Sequence, residues 1–442
     1  MNKTNSDNAL CKRLLDSLDK STCNFMAVAE IETRLLENGF IELFQENVWS
    51  LERGGKYYFK KNDSSIFAFI VGDDVVNGGF HIISAHSDSP CFKLKPNAEI
   101  YGDGGVVSLN VEKYGGGILY TWFDRPLSIS GRVMVAGEDA LHPRTLLVDL
   151  KRPVATIPHL AIHFNRGVNE GNPLSVQKDM KPVIGYFSPE ELAAYKELGG
   201  VVRSLVAYHL EIDPRTILDS ELCLYPAEPA GVVGAAEEYF QSARIDDLSM
   251  AFAGLEALLA TTEKSNASRV LAIFDNEETG SGTKQGAASP VLRDAMERIV
   301  KIMDGGDEQN IYRAIANSFM ISADNAHAWH PNYNEKYDPT NHPVIGGGPV
   351  IKINANCKYM TDAQGSAVFS QLCKGAGVEC QYFVNHADVA GGSTLGNISS
   401  SQFDIRGVDM GAAIWAMHSA RETAGLSDYI DSVKVFTKFY EK

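Results

Sequence analysis

The chain has no pair of cysteines at CxxC spacing, no apolar stretch near the roughly 20 residues of a membrane span, and no surplus of positive charge. Its seven cysteines (Cys11, Cys23, Cys91, Cys223, Cys357, Cys373 and Cys380) are scattered and odd in number. That pattern suits reduced thiols and argues against a disulfide framework or a Cys-rich zinc module. The first residues lack the basic-then-apolar profile of a secretory leader, so the expected location is the cytoplasm. With 40 basic against 56 acidic residues the formal charge is −16, which repels nucleic acid and anionic membranes alike. An acidic substrate would need a local basic exception. Also missing are GxSxG, HExxH and GxxxxGK[ST], which removes the serine-hydrolase, zincin and P-loop readings. The run Gly280-Ser281-Gly282 followed by Gly286 has GxGxxxG spacing and reads as a plain turn, not a dinucleotide loop.

What is present is an ordinary globular composition over 442 residues, long enough for two or three domains. Apolar positions from Leu10 to Leu36 recur at helical spacing, with a break at Ser21 or Thr22 and an Asn38-Gly39 stop; two helices are expected. Strands follow at 57–60, 66–71 and 80–84, the last running into His86-Ser87-Asp88. Between Phe92 and Ala230 the pattern becomes short β-rich runs, including 106–111, 118–122, 127–135 and 146–150, with Gly115-Gly116-Gly117 as a hairpin turn and a capped helix from Ser188. Helix and strand alternate again after Ala230, including a strand over 407–414. The spacing therefore predicts an α/β catalytic domain, residues 1–91 and 231–442, interrupted by a mostly β insertion, residues 92–230.

The most informative stretch is Val270 to Glu278. An apolar run ends in Asp275-Asn276-Glu277-Glu278, so a buried strand delivers adjacent carboxylates to the edge where open α/β sheets bind ligands. Adjacent buried carboxylates repel and call for a compensating cation. Other predicted strand or helix ends carry His86, Asp246 and Asp324, and His418 follows the last strand. Oxygen and imidazole ligands without thiolates suit two divalent ions, zinc first and cobalt or manganese as alternatives. A spare carboxylate beside them can serve as general base, and Asp88, two residues beyond His86, can orient that imidazole. The residues alone leave open how the set divides between two ions. In Ile157-Pro158-His159-Leu160-Ala161-Ile162-His163, the two histidines in an apolar setting read as structural, and Lys352 alone reads as a solvated strand residue.

Five blocks then resemble, in order, the motifs of the M18 aminopeptidases, the aspartyl aminopeptidase family: His86-Ser87-Asp88-Ser89-Pro90, Arg244-Ile245-Asp246-Asp247-Leu248, Asp275 to Gly280, Ser322 to Tyr333, and Met417 to Glu422. The resemblance covers essentially the whole chain, including the 157–163 motif. It implies a phosphorylase/hydrolase-like three-layer α/β/α zinc exopeptidase with an inserted β dimerisation domain, assembled as a tetrahedral dodecamer. It further implies that Asp246 bridges two zinc ions, His86 and Asp324 complete one, Glu278 and His418 complete the other, and Glu277 is the base. Lys352 and Tyr359 match pocket positions suited to an acidic first side chain. His163 matches a histidine that reaches a neighbouring subunit's site, and His159 is a weaker candidate. The implied reaction is release of an N-terminal Asp or Glu from short peptides. The turn Ala387-Asp388-Val389-Ala390-Gly391-Gly392 departs from a Pro/Cys-containing version and puts that preference in doubt. The alternatives are the same chemistry on neutral or apolar N-terminal residues, a deacylase or carboxypeptidase on the same scaffold, and an inactive shell-forming protein.

Overall fold

A computed structural model describes residues 4–442. They fall into two compact units. One comprises the chain up to Asp88 with Ala230–Met417 and Glu422–Lys442; the other comprises Ser89–Pro229 with His418–Arg421. In chain order the first unit begins with helices α1 (Asn5–Lys20) and α2 (Asn24–Glu37) and strands β1 (Ile41–Glu42), β2 (Lys56–Lys61), β3 (Ser65–Ile70) and β4 (Phe80–His86). The second holds β5 (Cys91–Tyr101), β6 (Val106–Tyr114), β7 (Leu127–Val135), β8 (Arg144–Asp149), α3 (Val176–Asp179), β9 (Val183–Tyr186), α4 (Pro189–Glu197), α5 (Val201–Leu210) and β10 (Ile217–Pro226).

The first unit then resumes with β11 (Gly231–Val233), β12 (Tyr239–Ser242), α6 (Ile245–Ala260), β13 (Ser268–Phe274), α7 (Val291–Asp304), α8 (Glu308–Ala316), β14 (Phe319–Ala323) and β15 (Ala326–His327). It closes with β16 (Val350–Ile353), α9 (Ala363–Ala376), β17 (Gln381–Val384), α10 (Leu395–Ser400), β18 (Arg406–Gly411), β19 (Ala413–Trp415), β20 (Glu422–Gly425) and α11 (Leu426–Tyr440).

Nine strands form one sheet in the order β1-β2-β3-β13-β4-β14-β18-β16-β17. Its centre, β13, β4, β14 and β18, is parallel, so four chain directions end on one edge. Strands buried on both faces should read as continuous apolar runs, and β13 does. Its alternate residues serve different cores. Leu271 and Ile273 join one with α1, α2, α6, α9 and α11, whereas Val270, Ala272 and Phe274 join another with α7 and α8. Helix α6 is buried on every side through Leu258, as expected of a helix without a polar face. A small sheet, β11-β12-β20-β19-β15, completes this unit.

The expected two N-terminal helices form, and α2 ends at Asn38 with Gly39 at φ +78°. The strand expected over 407–414 does not continue: it breaks at Ala412, and β18 and β19 pair in different sheets. The second unit is built on an antiparallel sheet, β8-β7-β10-β5-β6-β9, packed against α5 through Val202, Val206 and Ala207. Ser188 caps α4 in a capping box with Glu191. Residues 118–122 are not the expected strand. The Gly115 turn leads into a 3-10 helix, Leu119–Trp122, whose Trp122 is buried against Phe92. No helix among the described residues is long and apolar enough to cross a membrane.

Candidate metal centre

Strand β4 ends on His86, which is 1% exposed. Beyond Phe274, Asp275 and Asn276 lead into a single 3-10 turn, Glu277–Thr279, and β14 delivers Asp324 one residue past its end. Asp246 enters from α6, whose first turn is distorted at Asp246 and Asp247, and its amide donates to Glu422 Oε2 at 3.1 Å. The result is two groups of ligand atoms, each within 4.8 Å of one another: His86, Asp246 and Asp324, and His86, Glu277 and Glu278. Five of the predicted residues therefore converge on the carboxyl edge of the sheet.

Asp88 approaches the His86 imidazole with two groups. Its backbone carbonyl, at 3.0 Å, is nearer to His86 Nδ1 than its carboxylate, at 3.4 Å. The carboxylate also accepts the Glu277 and Glu278 amides, each at 3.1 Å, and so ties the acidic turn to the end of β4. Asp247, to which the sequence assigns no role, is fully buried and accepts the His86 amide at 3.1 Å. The sequence likewise assigns none to Glu422, although that residue sat in a quoted motif. The signal for both was available: a second carboxylate beside a ligand has to find a donor or a cation.

Electrostatics in the cluster run against ionised carboxylates. Burial, with Asp324, Glu278 and Asp88 nearby, pushes Glu277 up to about 8 against the opposing pull of His86. Burial likewise raises Asp247 well above the usual carboxylate range. For His86 burial acts downward, but Asp88, Asp247 and Glu277 together hold its proton affinity well above the ordinary value. Imidazole and carboxylate donors crowded in this way fit a divalent cation, and N and O ligands fit zinc.

Lys352, expected to be solvated if read alone, is 3% exposed because β16 lies inside the sheet between β18 and β17. Its ammonium is 3.2 Å from Asp324 Oδ1 and 5.7 Å from the centre of the Tyr359 ring. Burial would lower its proton affinity, but Asp324, Asp409 and Asp246 more than reverse this. His418 opens the His418–Arg421 segment of the second unit, where its carbonyl accepts the Ile118 amide at 2.9 Å. His159 and His163 lie in that unit too. His159 stacks on Phe123 at 4.3 Å, whereas His163 is exposed on a loop with Leu160, Ile162 and Phe164 and is not a satisfied core histidine.

Comparison with known proteins yields a consistent set. The family described as aminopeptidase I zinc metalloprotease (M18) matches residues 17–440. A probable M18 family aminopeptidase 2 of Clostridium acetobutylicum is 46% identical over 430 residues, spanning 97% of this chain and 98% of that protein. Among solved structures, the Ape4 and Nbr1 complex seen by cryo-EM gives a TM-score of 0.94 at 34% identity, covering 99% of this chain and 86% of that one. The S. cerevisiae mApe1 dodecamer gives 0.85 at 27% identity, covering 99% and 97%.

Proposed function

The chain belongs to the M18 family of zinc aminopeptidases, hydrolases that act on peptides, and on that premise we propose that it removes single N-terminal residues, Asp or Glu first, from short peptides at a two-ion centre. The observation that carries this reading is the convergence of His86, Asp246, Asp324, Glu277 and Glu278 at one edge of the nine-stranded sheet. In it Asp246 would be shared by the two ions, with His86 and Asp324 holding one and Glu278 and His418 the other. When bound, the ions polarise the scissile carbonyl and lower the pKa of a water toward about 7. Glu277 takes the proton of that water and hands it to the leaving nitrogen. A cation beside Glu277 opposes the carboxylates that otherwise keep it protonated. Glu278 and Asp324 grip the free α-amine, and Lys352 with Tyr359 receives the first side chain.

The catalytic domain is read as a three-layer α/β/α exopeptidase and residues 92–230 as an inserted dimerisation domain. The dodecameric mApe1 relative supports a homo-oligomer, proposed as a tetrahedral dodecamer with His163 reaching a neighbouring site. Confinement within such a shell restricts substrates to short peptides. Its proposed location is the cytoplasm, in keeping with seven free thiols. A second reading keeps the chemistry but prefers neutral N-terminal residues. The pairing of Lys352 with Asp324 favours it, since an ammonium already paired attracts an acidic side chain less.

The test is hydrolysis of Asp, Glu, Leu, Ala and Lys aminoacyl substrates, before and after chelation and with zinc, cobalt or manganese restored. Metal-dependent cleavage led by Asp and Glu supports the first reading. A lead by Leu transfers the case to the second, and no cleavage with any metal brings forward an inactive shell.

A further inference from the structure

The proposed chemistry leaves one buried carboxylate of the nine-stranded sheet without a task. Asp409 sits in β18 with no exposed surface, a buried charge between Val408 and Met410. Strand β16 runs antiparallel to β18 with Val350 opposite Gly411 and Ile351 opposite Met410, so the next step of the ladder brings Lys352 level with Asp409. The Asp409 carboxylate attracts the Lys352 ammonium, as Asp324 does. Its own oxygens are taken by two donors, the Met360 amide at 2.5 Å and the Thr394 hydroxyl at 2.6 Å. Burial raises the proton affinity of this carboxylate, and the two donors together with the Lys352 ammonium oppose that by favouring the ionised, acceptor-only form. The Asp409 amide in turn donates to the Thr361 hydroxyl at 2.8 Å. Gly396 has to be glycine, since a Cβ there would lie 2.8 Å from Asp409 Oδ1 and 2.7 Å from Met360 Sδ.

Asp409 thus holds two chain segments at once. One is Tyr359–Thr361, whose tyrosine ring faces Lys352; the other is the turn that ends at Thr394. We propose that Asp409 is a specificity-determining positioning residue, whose charge offsets the Lys352 ammonium and whose two hydrogen bonds fix the walls of the pocket. This rests on the reading of Lys352 and Tyr359 as the pocket for the first side chain. A buried unit charge level with an ammonium on the neighbouring strand offsets part of the field that an incoming carboxylate would feel. The intact pocket therefore takes acidic and neutral side chains with less discrimination than Lys352 alone would impose. Loss of the charge sharpens the acidic preference, and loss of a hydrogen bond loosens the pocket for every substrate.

The experiment compares wild-type, Asp409→Asn and Thr394→Val proteins, each loaded with zinc, on Asp and Leu aminoacyl substrates, reading kcat and KM separately beside zinc content and melting temperature. Asp409→Asn is expected to raise the Asp-to-Leu ratio of kcat/KM about tenfold, mainly through KM, with zinc content unchanged. Thr394→Val is expected to raise KM for both substrates by a similar factor and leave their ratio alone. An Asp-to-Leu ratio within about twofold of wild type in a folded, zinc-loaded Asp409→Asn protein overturns the proposal. Should Asp409→Asn fail to fold, an unchanged KM in Thr394→Val overturns it instead. Wild-type protein that cleaves neither substrate removes the pocket reading itself, an outcome distinct from a normal wild type with an unaltered Asp409→Asn.

Discussion

Two buried polar regions of the nine-stranded sheet solve the same problem in opposite ways. At the ends of β4, β13 and β14 acidic side chains outnumber their internal partners, and Glu277 and Asp247 are driven toward the protonated form. Two strands away, Lys352 lies between Asp324 and Asp409, and Asp409 has hydrogen-bond donors on both oxygens. The first region is complete only with a charge from outside, whereas the second carries its counter-charges within the chain. Where incompleteness is built in, chemistry is expected; where balance is built in, shape and selectivity are.

The sharpest way to break that contrast is Glu277→Gln, which keeps size and removes the base. Turnover should fall by about 10²–10⁴-fold while zinc content, measured on the same sample, stays at the wild-type level. Near-normal turnover would move the base elsewhere and leave Glu277 a plain carboxylate of the turn.

Second in size is the pH response of the chelated protein. Glu277 titrates near 8 when folded against an ordinary 4.5, so the folded chain holds a proton that the unfolded chain releases between those values. The stability this group contributes is complete below about pH 4.5 and is lost as pH rises toward 8. Asp247 acts in the same direction. At about 1.4 kcal/mol per pKa unit the loss is on the order of several kcal/mol, and zinc should abolish it. Melting curves of chelated and zinc-loaded protein from pH 5 to 8 test this: parallel curves would mean that the cluster is balanced after all.

Lys352→Met sharpens the comparison from the other side. Without the ammonium, Asp324 and Asp409 lose a buried counter-charge, which should cost about 3 kcal/mol in the chelated protein. Zinc should recover part of that by engaging Asp324 but none of the share due to Asp409. Equal destabilisation with and without zinc would separate Lys352 from the metal side altogether.

Much of this was legible in the sequence because the chemistry coincides with strand ends. An apolar run that stops at an acid, as in Ile273-Phe274-Asp275 or Ile321-Ser322-Ala323-Asp324, marks both the end of a buried strand and the sheet edge. The three-dimensional partners were less visible. Asp409 lies inside a strand, where its neighbours come from β16, from Met360, 49 residues back, and from Thr394, 15 residues back. The 3-10 helix at Leu119–Trp122 has strand-like composition, and only the burial of Trp122 against Phe92 explains its turn. Lys352 looked solvated because periodicity reports which face of a strand is apolar, not whether a charged side chain meets a carboxylate across the sheet.

The smallest expected effect separates two roles for Asp88. If its carboxylate orients His86, Asp88→Asn should weaken metal binding by about 10–100-fold, as loss of a ligand's supporting partner generally does. The distances argue otherwise: the carbonyl of the same residue is the nearer acceptor for Nδ1, and an asparagine retains it. What Asp88→Asn removes is one of two acceptors for the Glu277 and Glu278 amides, because the carboxamide nitrogen offers hydrogens to a backbone N–H. The turn bearing the base should then loosen by the worth of one hydrogen bond, roughly tenfold in kcat, with zinc affinity close to wild type. Metal titration beside steady-state kinetics distinguishes the two. A drop in affinity with intact kcat would return Asp88 to the imidazole, and a drop in kcat with intact affinity assigns it to the acidic turn.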